Sequence, residues 1–585
     1  MAESAVLLDE GLRHHNAGRL TEAAAVYAAL LAAVPDHADA LHLLGLVRFQ
    51  QGDVPKALEY VRAAVTRDPE SPLYNANLGR IAAAAGWWQE AAIAYRKVLA
   101  RTPNDAACHS DLAAALLAVR DFDAAAGHAA RAVRANPALA TAHLNMALAA
   151  MGRGDWQAAR TAFEQAVVLD GGLADAHFSL GRLAQDDGRR EDAERHYRAA
   201  VAARPDLVEA MGNLGNVVRE QGRPEEAVAL YDKALAMAPD VAALHANRAV
   251  ALHELGDLAG AMAAYDRAVA LDPDDADTRR NRALAWLLSG RLAEGFAEYE
   301  WRWKARSFAP LVRDLPMPRW RGEPAAGRRL FVHAEQGLGD TIQFARYVPV
   351  LAAAGWRVAL EVQPRLRDLF EGFAGAETVI ASGDPIPPCD FHVPLLSLPY
   401  ALKTDADTIP VGVPYLSADP ARAAAWREKL AGDAKGAFKV GLAWAGDPRH
   451  RNDRHRSVPA AMLKPLLSVP NVRFFSLQFG PGAEAAADLP GVVDLAPGIG
   501  PLAELAAAVS ALDLVVSIDT GVVHLAGALG RPVWTLLNMA PDWRWGLEGE
   551  TTPWYLAMRL FRQKARGDWA AVVADVGAQL VRERG

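Results

Sequence analysis

Prolines recur through the first half of the chain with a fixed period of 34 residues. They stand at Pro35, Pro69, Pro103, Pro137, Pro205, Pro239 and Pro273, and Gly171 takes the remaining place in this register. Glycines recur with the same period at Gly18, Gly52, Gly86, Gly154, Gly188, Gly222, Gly256 and Gly290. Proline stops a helix, and glycine permits a sharp turn. A period of this length therefore indicates a stacked array of helical hairpins.

Each unit carries the pattern of two amphipathic helices joined by a turn. Small residues recur where the helices would cross, at Gly11, Gly45, Gly79, Ala113, Ala147, Gly181, Gly215, Ala249 and Ala283. Aromatic residues recur where they would fill the adjacent space, at Tyr95, Phe163, Tyr197, Tyr231, Tyr265 and Tyr299. One hairpin cannot bury its own apolar face, so we predict an all-α superhelix of nine stacked units over residues 4–309. The period resembles that of tetratricopeptide repeats.

One polar position in each unit is not explained by this packing. Two residues before the small residue stand Asn77, Asp111, Asn145, Ser179, Asn213, Asn247 and Asn281. Asparagine is a poor residue for a helix interior, and two residues are about 200° around a helix, so this row points away from the packed face. We predict peptide-binding side chains in a concave groove, similar to the asparagine ladder of O-GlcNAc transferases. A solvated polar wall is the alternative, and a second row, His109, His143, His177 and His245, is interpreted as packing.

The composition restricts the classes of partner. At 585 residues the chain is too long for one hydrophobic core, so at least two domains are expected. A net charge of -8 argues against nucleic acid or an anionic membrane as the main partner. The two cysteines, Cys108 and Cys389, predict neither a disulfide framework nor a metal site. The N-terminus does not read as a signal peptide, and no apolar run is long enough to span a bilayer. We therefore expect a cytoplasmic protein, with a protein peripheral to the inner leaflet as the alternative.

After residue 309 the helical period ends. A proline-rich connector over residues 310–327 leads into a region where short apolar runs alternate with helical segments, as in a parallel α/β sheet. The strand candidates are Leu330–His333, Val358–Val362, Val379–Ala381, Val440–Trp444, Phe474–Leu477, Leu514–Ile518 and Val533–Leu536. A helical spacer near residues 420–430 divides this region. We predict two Rossmann-like lobes facing a cleft, over residues 328–418 and 419–585, with a closing helix at 569–581.

Two loops of this region carry candidate ligand-binding residues. The first follows the first strand and contains Gly337, Gly339, Asp340 and Thr341, where the glycines would let a ligand approach the backbone. Capping of the next helix is the alternative role of Asp340. The second loop contains Trp444, Gly446, Arg449, His450, Arg451, Arg454, His455, Arg456 and Ser457. Its cationic run suits a phosphate or a carboxylate, and a solvated loop is the alternative.

A third loop has the most specific pattern. Strand Leu514–Ile518 runs into Asp519, Thr520 and Gly521, and His524 follows. A glycine turn between a strand and a helix presents N–H groups to a phosphate. Thr520 and His524 add donors, and Asp519 would orient a ribose or a neighbouring base. Gln478 and residues 543–545 lie where the second lobe would supply contacts to a nucleotide base.

The segments EQGLGDTIQFARY, DTGVVHLAGALGRPVW and TPWYLAMRLFRQ resemble the GT-B domain of bacterial ADP-heptose heptosyltransferases, glycosyltransferase family 9. With the repeats in front, the chain resembles bacterial tetratricopeptide glycosyltransferases that modify flagellin. The resemblance implies that Asp340 is the catalytic base and that Asp519, Thr520, Gly521 and His524 hold the donor diphosphate. It also implies a basic phosphate contact in the second loop. Arg454 or Arg456 would make that contact in place of the lysine typical of heptosyltransferases.

The implied chemistry uses a nucleotide-sugar as co-substrate and no cofactor. An inverting transfer needs a base for the acceptor hydroxyl and electrostatic stabilisation of the leaving nucleotide. The Asp-x-Asp candidate of this region, Asp405 and Asp407, lies in a loop, so we predict no metal site. We predict a metal-independent protein O-glycosyltransferase that modifies Ser or Thr of an acceptor held by the repeats. The resemblance implies flagellin as the acceptor and a nonulosonic acid as the sugar. A transferase for a lipid-linked saccharide and an inactive repeat scaffold are the alternatives.

Overall fold

The computed structural model describes residues 2–449, 452–480 and 482–584. Its contacts divide the chain into two compact units, residues 1–238 and 239–585. The second unit contains the last two helix pairs together with the α/β domain, so the division falls inside the helical array and not at its end. The predicted fold class, helical repeats followed by an α/β domain with parallel sheets, is confirmed.

Consecutive helix pairs form the array. In the first unit the helices are α1 Ala2–Asn16, α2 Leu20–Ala33, α3 Ala38–Gln50, α4 Val54–Arg67, α5 Pro72–Ala84, α6 Trp88–Arg101, α7 Ala106–Ala118, α8 Phe122–Ala135, α9 Ala140–Gly152, α10 Trp156–Leu169, α11 Ala174–Asp186, α12 Arg190–Ala203, α13 Val208–Glu220 and α14 Pro224–Met237. In the second unit they continue with α15 Ala242–Glu254, α16 Leu258–Leu271, α17 Ala276–Leu288 and α18 Leu292–Tyr299. Over the described ranges, no helix has both the length and the apolar character needed to cross a membrane.

The periodic glycines adopt the turn conformation that the pattern predicts. Their φ angles lie between 72° and 87°, in the left-handed region that costs other residues about 1–2 kcal/mol. Between α7 and α8 the same register position holds Arg120, which still has a φ of 63°. The packing of the hairpin therefore imposes this turn even where glycine is missing.

The predicted contact between small and aromatic residues is confirmed. A Cβ atom added at Gly79 would lie 2.6 Å from the Tyr95 ring, and one added at Gly215 would lie 2.6 Å from the Tyr231 ring. Tyr95 is 4% exposed and Tyr231 is fully buried. The two helices of a pair approach closely because these positions have no side chain.

In several repeats, the residue six positions after the periodic proline donates a side-chain hydrogen bond to the carbonyl oxygen of that proline. Asn75 Nδ2 lies 3.0 Å from the Pro69 oxygen, and Arg279 Nε lies 2.6 Å from the Pro273 oxygen. The equivalent Nε2–oxygen distances are 3.0 Å for His109, 3.0 Å for His143 and 2.9 Å for His245. The structure thus confirms that these three histidines have a packing role.

The α/β domain follows two short 3-10 helices, Glu300–Lys304 and Arg306–Leu311. Its strands are β1 Arg329–His333, β2 Arg357–Val362, β3 Ala376–Ala381, β4 Phe391–Pro394, β5 Phe438–Ala443, β6 Val472–Ser476, β7 Val493–Asp494, β8 Leu514–Ile518, β9 Val533–Leu537 and β10 Met558–Arg562. Its helices are α19 Leu338–Phe344, α20 Tyr347–Ala353, α21 Leu398–Ala401, α22 Pro420–Ala434, α23 Asp453–Arg456, α24 Leu502–Ser510, α25 Gly521–Ala528 and α26 Trp569–Arg584.

All strand pairs of the two sheets are parallel. The first sheet has the order β3-β2-β1-β4, and the second has the order β10-β9-β8-β5-β6-β7. Read from β7, the second sheet has the strand order of doubly wound dinucleotide-binding folds. The direction of winding changes between β5 and β8. In such sheets, ligands bind beyond the carboxyl ends of the strands at this point.

The sequence pattern misses three strands, and each of them is an edge strand. β4, β7 and β10 stand at the ends of their sheets. β7 has only two residues, and β10 carries Arg559 and Arg562. Because edge strands are often short or charged, they lack the apolar run that marks a central strand.

The last repeat shares a core with the α/β domain. Phe296 of α18 meets the rings of Trp543 and Trp554 edge-on, with centroid distances of 5.6 and 6.5 Å. Just after α18, Arg302 is fully buried and its Nη2 lies 3.0 Å from Oε1 of Glu335. Within the second unit, the last repeat therefore packs directly against the α/β domain.

Candidate functional site

The first and third candidate loops meet in the α/β domain. β1 leads through residues 334–337 into α19, β8 leads through residues 519–520 into α25, and these two helices pack against each other. A Cβ atom added at Gly339 would lie 2.8 Å from Cδ2 of His524 and 3.5 Å from Cα of Gly521. The space beside Gly339 is thus filled by His524, where the sequence analysis predicted the approach of a ligand.

Arg456 joins the second loop to the third. Its Nη1 donates to the carbonyl oxygen of Asp519 at 2.9 Å, and its Nε donates to Oδ1 of Asp453 at 3.1 Å. A Cβ atom at Gly446 would lie 2.7 Å from Arg456 Nη2, so this glycine makes room for the guanidinium group. Of the two arginines considered for the phosphate contact, Arg456 reaches the turn that precedes α25.

The other described basic residues of this loop point elsewhere. Arg454 is exposed, and its Nε lies 2.9 Å from Nε2 of His455. Arg449 is also exposed and forms an ion pair of 2.6 Å with Asp447. His450 and Arg451 lie outside the described residues.

Three predicted donor-binding residues are engaged within the protein. The Gln478 side chain accepts hydrogen bonds from the N–H groups of Trp444 and Ala445 at 3.0 and 2.9 Å, and it donates to the Ala445 carbonyl at 3.0 Å. The ring of Trp444 is buried in the core below the loop. Thr341 is only 1% exposed within α19. Gln478 therefore shapes the second loop, which differs from the predicted contact to a nucleotide base.

Ser457 has a similar internal role. Its hydroxyl accepts a hydrogen bond from the Gly446 N–H at 3.1 Å and donates to Oδ2 of Asp453 at 3.0 Å. Asp453 thus receives hydrogen bonds from both Ser457 and Arg456. Sequence patterns do not single out this buried carboxylate, which holds the second loop beside the third.

Thr520 caps the helix that begins at Gly521. Its Oγ1 accepts a hydrogen bond from the Val522 N–H at 3.4 Å and lies 3.3 Å from Oγ of Ser517. The start of α25 therefore lies at the carboxyl end of β8, next to the change in winding direction. Backbone N–H groups at such a helix start favour anions.

His524 is buried at the contact between α19 and α25. Its Nδ1 lies 3.0 Å from the Tyr555 hydroxyl, and its ring stacks on Trp545 with a centroid distance of 5.4 Å. Burial, together with the charges of Arg544, Arg346 and Arg456, lowers the pKa of His524 well below its usual value. The imidazole is therefore neutral near pH 7.

Asp519 ionises less readily than an ordinary aspartate. Burial and the neighbouring charge of Asp542 raise the pKa of Asp519 to about 6, against the lowering effects of the Trp545 indole and of Arg456. Because a neighbouring anion disfavours a charged carboxylate, a bound diphosphate would favour its neutral form further.

Asp340 interacts with residues of two different loops. Its Oδ2 accepts a hydrogen bond from the Gly337 N–H at 2.9 Å, which is the capping contact considered from the sequence. Its Oδ1 forms an ion pair with Nη2 of Arg544, a residue that is 7% exposed. Burial tends to lower the pKa of Arg544, but Asp542 and Asp340 raise it above its usual value. The two residues are 204 positions apart in the chain, and no sequence pattern connects them.

In the first unit, the predicted peptide-binding row is not a continuous line of open side chains. Asn145 is 7% exposed, and its amide donates to the carbonyl and hydroxyl oxygens of Ser110 at 2.9 and 3.1 Å. The prediction that Asn145 faces a peptide is therefore wrong, because its side chain joins two neighbouring repeats. The Nδ2 atom of Asn77 lies 2.9 Å from Nε2 of His42, and its Oδ1 accepts a hydrogen bond of 2.9 Å from Nη2 of Arg80.

Other members of the row are more accessible. Asp111 is exposed and Asn213 is half-buried. In the second unit, Asn247 and Asn281 are half-buried, and Asn281 accepts a hydrogen bond of 3.1 Å from Arg280. These four residues remain candidates for contact with a peptide.

The predicted absence of a metal site concerned Asp405 and Asp407. The Asp405 carboxylate accepts hydrogen bonds from the N–H groups of Asp407 and Thr408 at 3.1 and 3.0 Å, as in a turn. Within the described ranges, no group of three or more His, Cys, Asp or Glu residues is arranged to hold a metal ion.

Two curated families match parts of the chain. The family described as Tetratricopeptide repeat matches residues 8–72, 50–106, 110–174, 178–242, 213–276 and 247–310, which together make up just over half of the chain. Glycosyltransferase family 9 (heptosyltransferase) matches residues 482–560, a range that includes β8, α25 and the loop around Arg544.

The chain is similar to Protein FlbA of Caulobacter vibrioides, with 29% identity over 317 residues. The match covers 48% of this chain and 52% of FlbA, so the chain spans about half the length of this curated relative.

Solved structures resemble the repeats. One is YrrB, described as a tetratricopeptide-repeat protein with an unusual peptide-binding site, with 21% identity, coverage of 31% of this chain and 94% of YrrB, and a TM-score of 0.29. Another is a tetratricopeptide repeat protein of Parabacteroides merdae, with 19% identity, coverage of 40% and 93%, and a TM-score of 0.32. Neither likeness bears on activity. After its repeats the chain carries a region, residues 482–560, that matches glycosyltransferase family 9, and by its repeats the chain belongs to the tetratricopeptide-repeat proteins.

Proposed function

We propose that the α/β domain is a nucleotide-sugar-dependent glycosyltransferase with Asp340 as its catalytic base. The observation that carries this proposal is the meeting of the loops after β1, β5 and β8 where the winding of the second sheet changes direction. That point is the expected ligand position of a doubly wound sheet. The match to glycosyltransferase family 9 over residues 482–560 supports the same assignment.

The start of α25 and Arg456 are proposed to bind the donor diphosphate. Thr520 fixes the helix start, and Arg456 is held against the backbone of Asp519 at 2.9 Å. Both features place positive electrostatic potential at the carboxyl end of β8. They would stabilise the negative charge that develops on the departing nucleotide without a metal ion.

The proposed transfer inverts the configuration of the sugar. Asp340 removes the proton of the acceptor hydroxyl while the oxygen of that hydroxyl forms a bond to the anomeric carbon of the sugar. On the opposite side, the bond from that carbon to the phosphate oxygen breaks, and the nucleotide leaves as an anion. The Gly337 N–H and Arg544 fix the orientation of the Asp340 carboxylate for this step.

We propose a protein as the acceptor, modified on Ser or Thr in the cytoplasm. Tetratricopeptide repeats are typical of proteins that bind other proteins. Asp111 and Asn213 of the first unit, and separately Asn247 and Asn281 of the second, are accessible polar residues that would each contact a peptide backbone. The resemblance to flagellin-modifying enzymes suggests flagellin as the acceptor and a nonulosonic acid as the sugar, whose CMP-linked donor would present one phosphate to this site in place of a diphosphate.

Replacement of Asp340 by asparagine tests the proposed function. The matched control is Asp384→Asn, because Asp384 also accepts a backbone N–H at 2.9 Å from three residues earlier, in an exposed turn of the same lobe. CMP-, UDP-, GDP- and ADP-linked ligands are first compared by thermal shift with the full chain, since only a ligand that fits the native cleft stabilises it. Transfer to the acceptor is then measured by intact-protein mass spectrometry.

We expect Asp340→Asn to lower turnover at least about 100-fold, the usual size of a general-base contribution. The thermal shift caused by the donor should persist, and Asp384→Asn should behave like the wild type. Normal turnover in Asp340→Asn would remove this residue as the base. Transfer to a lipid-linked saccharide but to no protein would support the first alternative, and no nucleotide binding at all would support the scaffold.

A further inference from the structure

The loop after β9 connects the last repeat with Asp340. Residues 543–545 of this loop form a short 3-10 helix that packs against α17. The Trp543 ring lies edge-on to Phe296 of α18 at 5.6 Å, while the neighbouring Arg544 extends to Asp340. One short segment therefore contacts both the array and the proposed catalytic base.

Arg544 is held from several sides. Its Nη1 lies 2.8 Å from Oδ1 of Asp542, its Nε donates to the side-chain oxygen of Gln343, and its Nη2 pairs with Asp340. Gln343 is fully buried in α19, which also carries Asp340. The planar guanidinium makes these three contacts in fixed directions, which an ammonium group does not reproduce.

The ion pair has two consequences for Asp340. It fixes the direction of Oδ1, while the Gly337 N–H fixes Oδ2 at 2.9 Å. It also joins two loops at one side chain, because the carboxylate is held by the loop after β1 and by the loop after β9 at the same time. A base must be both deprotonated and correctly aimed before it accepts a proton.

We propose that Arg544 is a positioning residue for sugar transfer, aiming Asp340 at the acceptor, and that the last repeat holds Arg544 in place through the contact between Phe296 and Trp543. This inference rests on the proposed function of Asp340. Helices α17 and α18 would then support the position of the catalytic base, in addition to any role in binding the acceptor.

Two substitutions separate the geometric effect of Arg544 from its charge. Arg544→Lys keeps a positive charge and loses the three-way contact, so kcat should fall roughly 100-fold through misalignment of the base. The donor KM should stay within about threefold of the wild-type value, because the loss falls on the transition state. Arg544→Gln also removes the charge, so kcat should fall at least as far as in Arg544→Lys, again with little change in the donor KM. Arg559→Lys, at an exposed ion pair of 2.7 Å with Glu550, is the control.

The contribution of the repeat is tested by Phe296→Leu. Its control is Phe308→Leu, since Phe308 is also buried but packs on Trp303 at 6.3 Å, outside the contact with Trp543. Both variants lose a buried ring and should lose some stability. Only Phe296→Leu should lower kcat while the donor KM stays unchanged.

A structural readout keeps the inference independent of activity. Hydrogen exchange of residues 337–341 should become faster in Arg544→Lys and in Phe296→Leu, because the α19 start loses its support. Unchanged exchange, together with wild-type kcat in both Arg544 variants, would overturn the role of Arg544. If the wild-type chain transfers no sugar from any nucleotide, the proposed function fails instead, and the exchange result still decides whether Arg544 positions Asp340.

Discussion

Gly339 and Gly521 face each other where α19 meets α25, and replacing each by alanine separates packing from ligand binding. A Cβ atom at position 339 would lie 2.8 Å from Cδ2 of His524. That ring has little freedom to move, because it is buried, stacks on Trp545 and forms a hydrogen bond of 3.0 Å between its Nδ1 and the Tyr555 hydroxyl. Overpacking of this kind costs about 1–3 kcal/mol.

At position 521 the same change meets much less. A Cβ atom there would have only the Gly339 nitrogen as a neighbour, at 4.0 Å, and the backbone is not in the left-handed region. Alanine at a compatible backbone position stabilises a protein by up to about 1 kcal/mol. If the donor diphosphate approaches the Gly521 N–H, however, the added methyl group obstructs it.

Thermal unfolding and donor titration distinguish the two variants. Gly339→Ala should lower Tm by roughly 1–4 °C, because the cost of overpacking, about 1–3 kcal/mol, is set against the large unfolding entropy of the second unit. Gly521→Ala should keep Tm or raise it slightly, while donor affinity falls about tenfold, equivalent to about 1.4 kcal/mol. Equal losses of Tm in both variants would refute the steric reasoning. Unchanged donor affinity in Gly521→Ala would remove this turn from the diphosphate site.

Two further predictions concern stability. Arg120→Gly should stabilise the first unit by about 0.5–1 kcal/mol. Glycine removes the energetic cost of the left-handed backbone at this position, and that gain exceeds the loss of the weak cation–π contact between Arg120 and the Phe122 ring. Arg153→Gly is the control, since Arg153 stands at a helix end with an ordinary φ of -88°, and this change should destabilise the first unit. A lower Tm in Arg120→Gly would contradict the reasoning. Asp519→Asn should be most stabilising above pH 6, since the pKa of Asp519 rises from 3.8 to about 6 on folding and its ionisation then opposes the fold. The Tm difference from wild type should shrink between pH 6 and pH 4, and a difference that does not vary with pH would exclude this cause.

Much of the fold could be predicted because the relevant residues are close in sequence. Gly79 and Tyr95 belong to one hairpin, and the glycines that turn each hairpin act through their own φ angles. The central strands are likewise marked by continuous apolar runs. Edge strands such as β10 were missed because their partly exposed positions admit charged residues, here Arg559 and Arg562, which interrupt the apolar run.

The candidate site was only partly predictable for a related reason. The turn at Thr520 and Gly521 is local, so its pattern is visible in the sequence. Arg544 lies 204 residues from Asp340, and nothing in either segment specifies the other. The role of Gly339 was misread because its neighbour, His524, comes from the other lobe. Contacts between distant segments depend on the folded arrangement, which periodicity alone does not contain.

The hydrogen bond to the proline-position carbonyl shows which properties of a repeat are interchangeable. Asparagine, histidine and arginine all supply it, at Asn75, His143 and Arg279. What these repeats share is thus a hydrogen-bond donor of suitable reach, and the identity of the residue is secondary. Substitution libraries at these sites should therefore enrich several chemically unlike side chains, each able to donate to the same carbonyl.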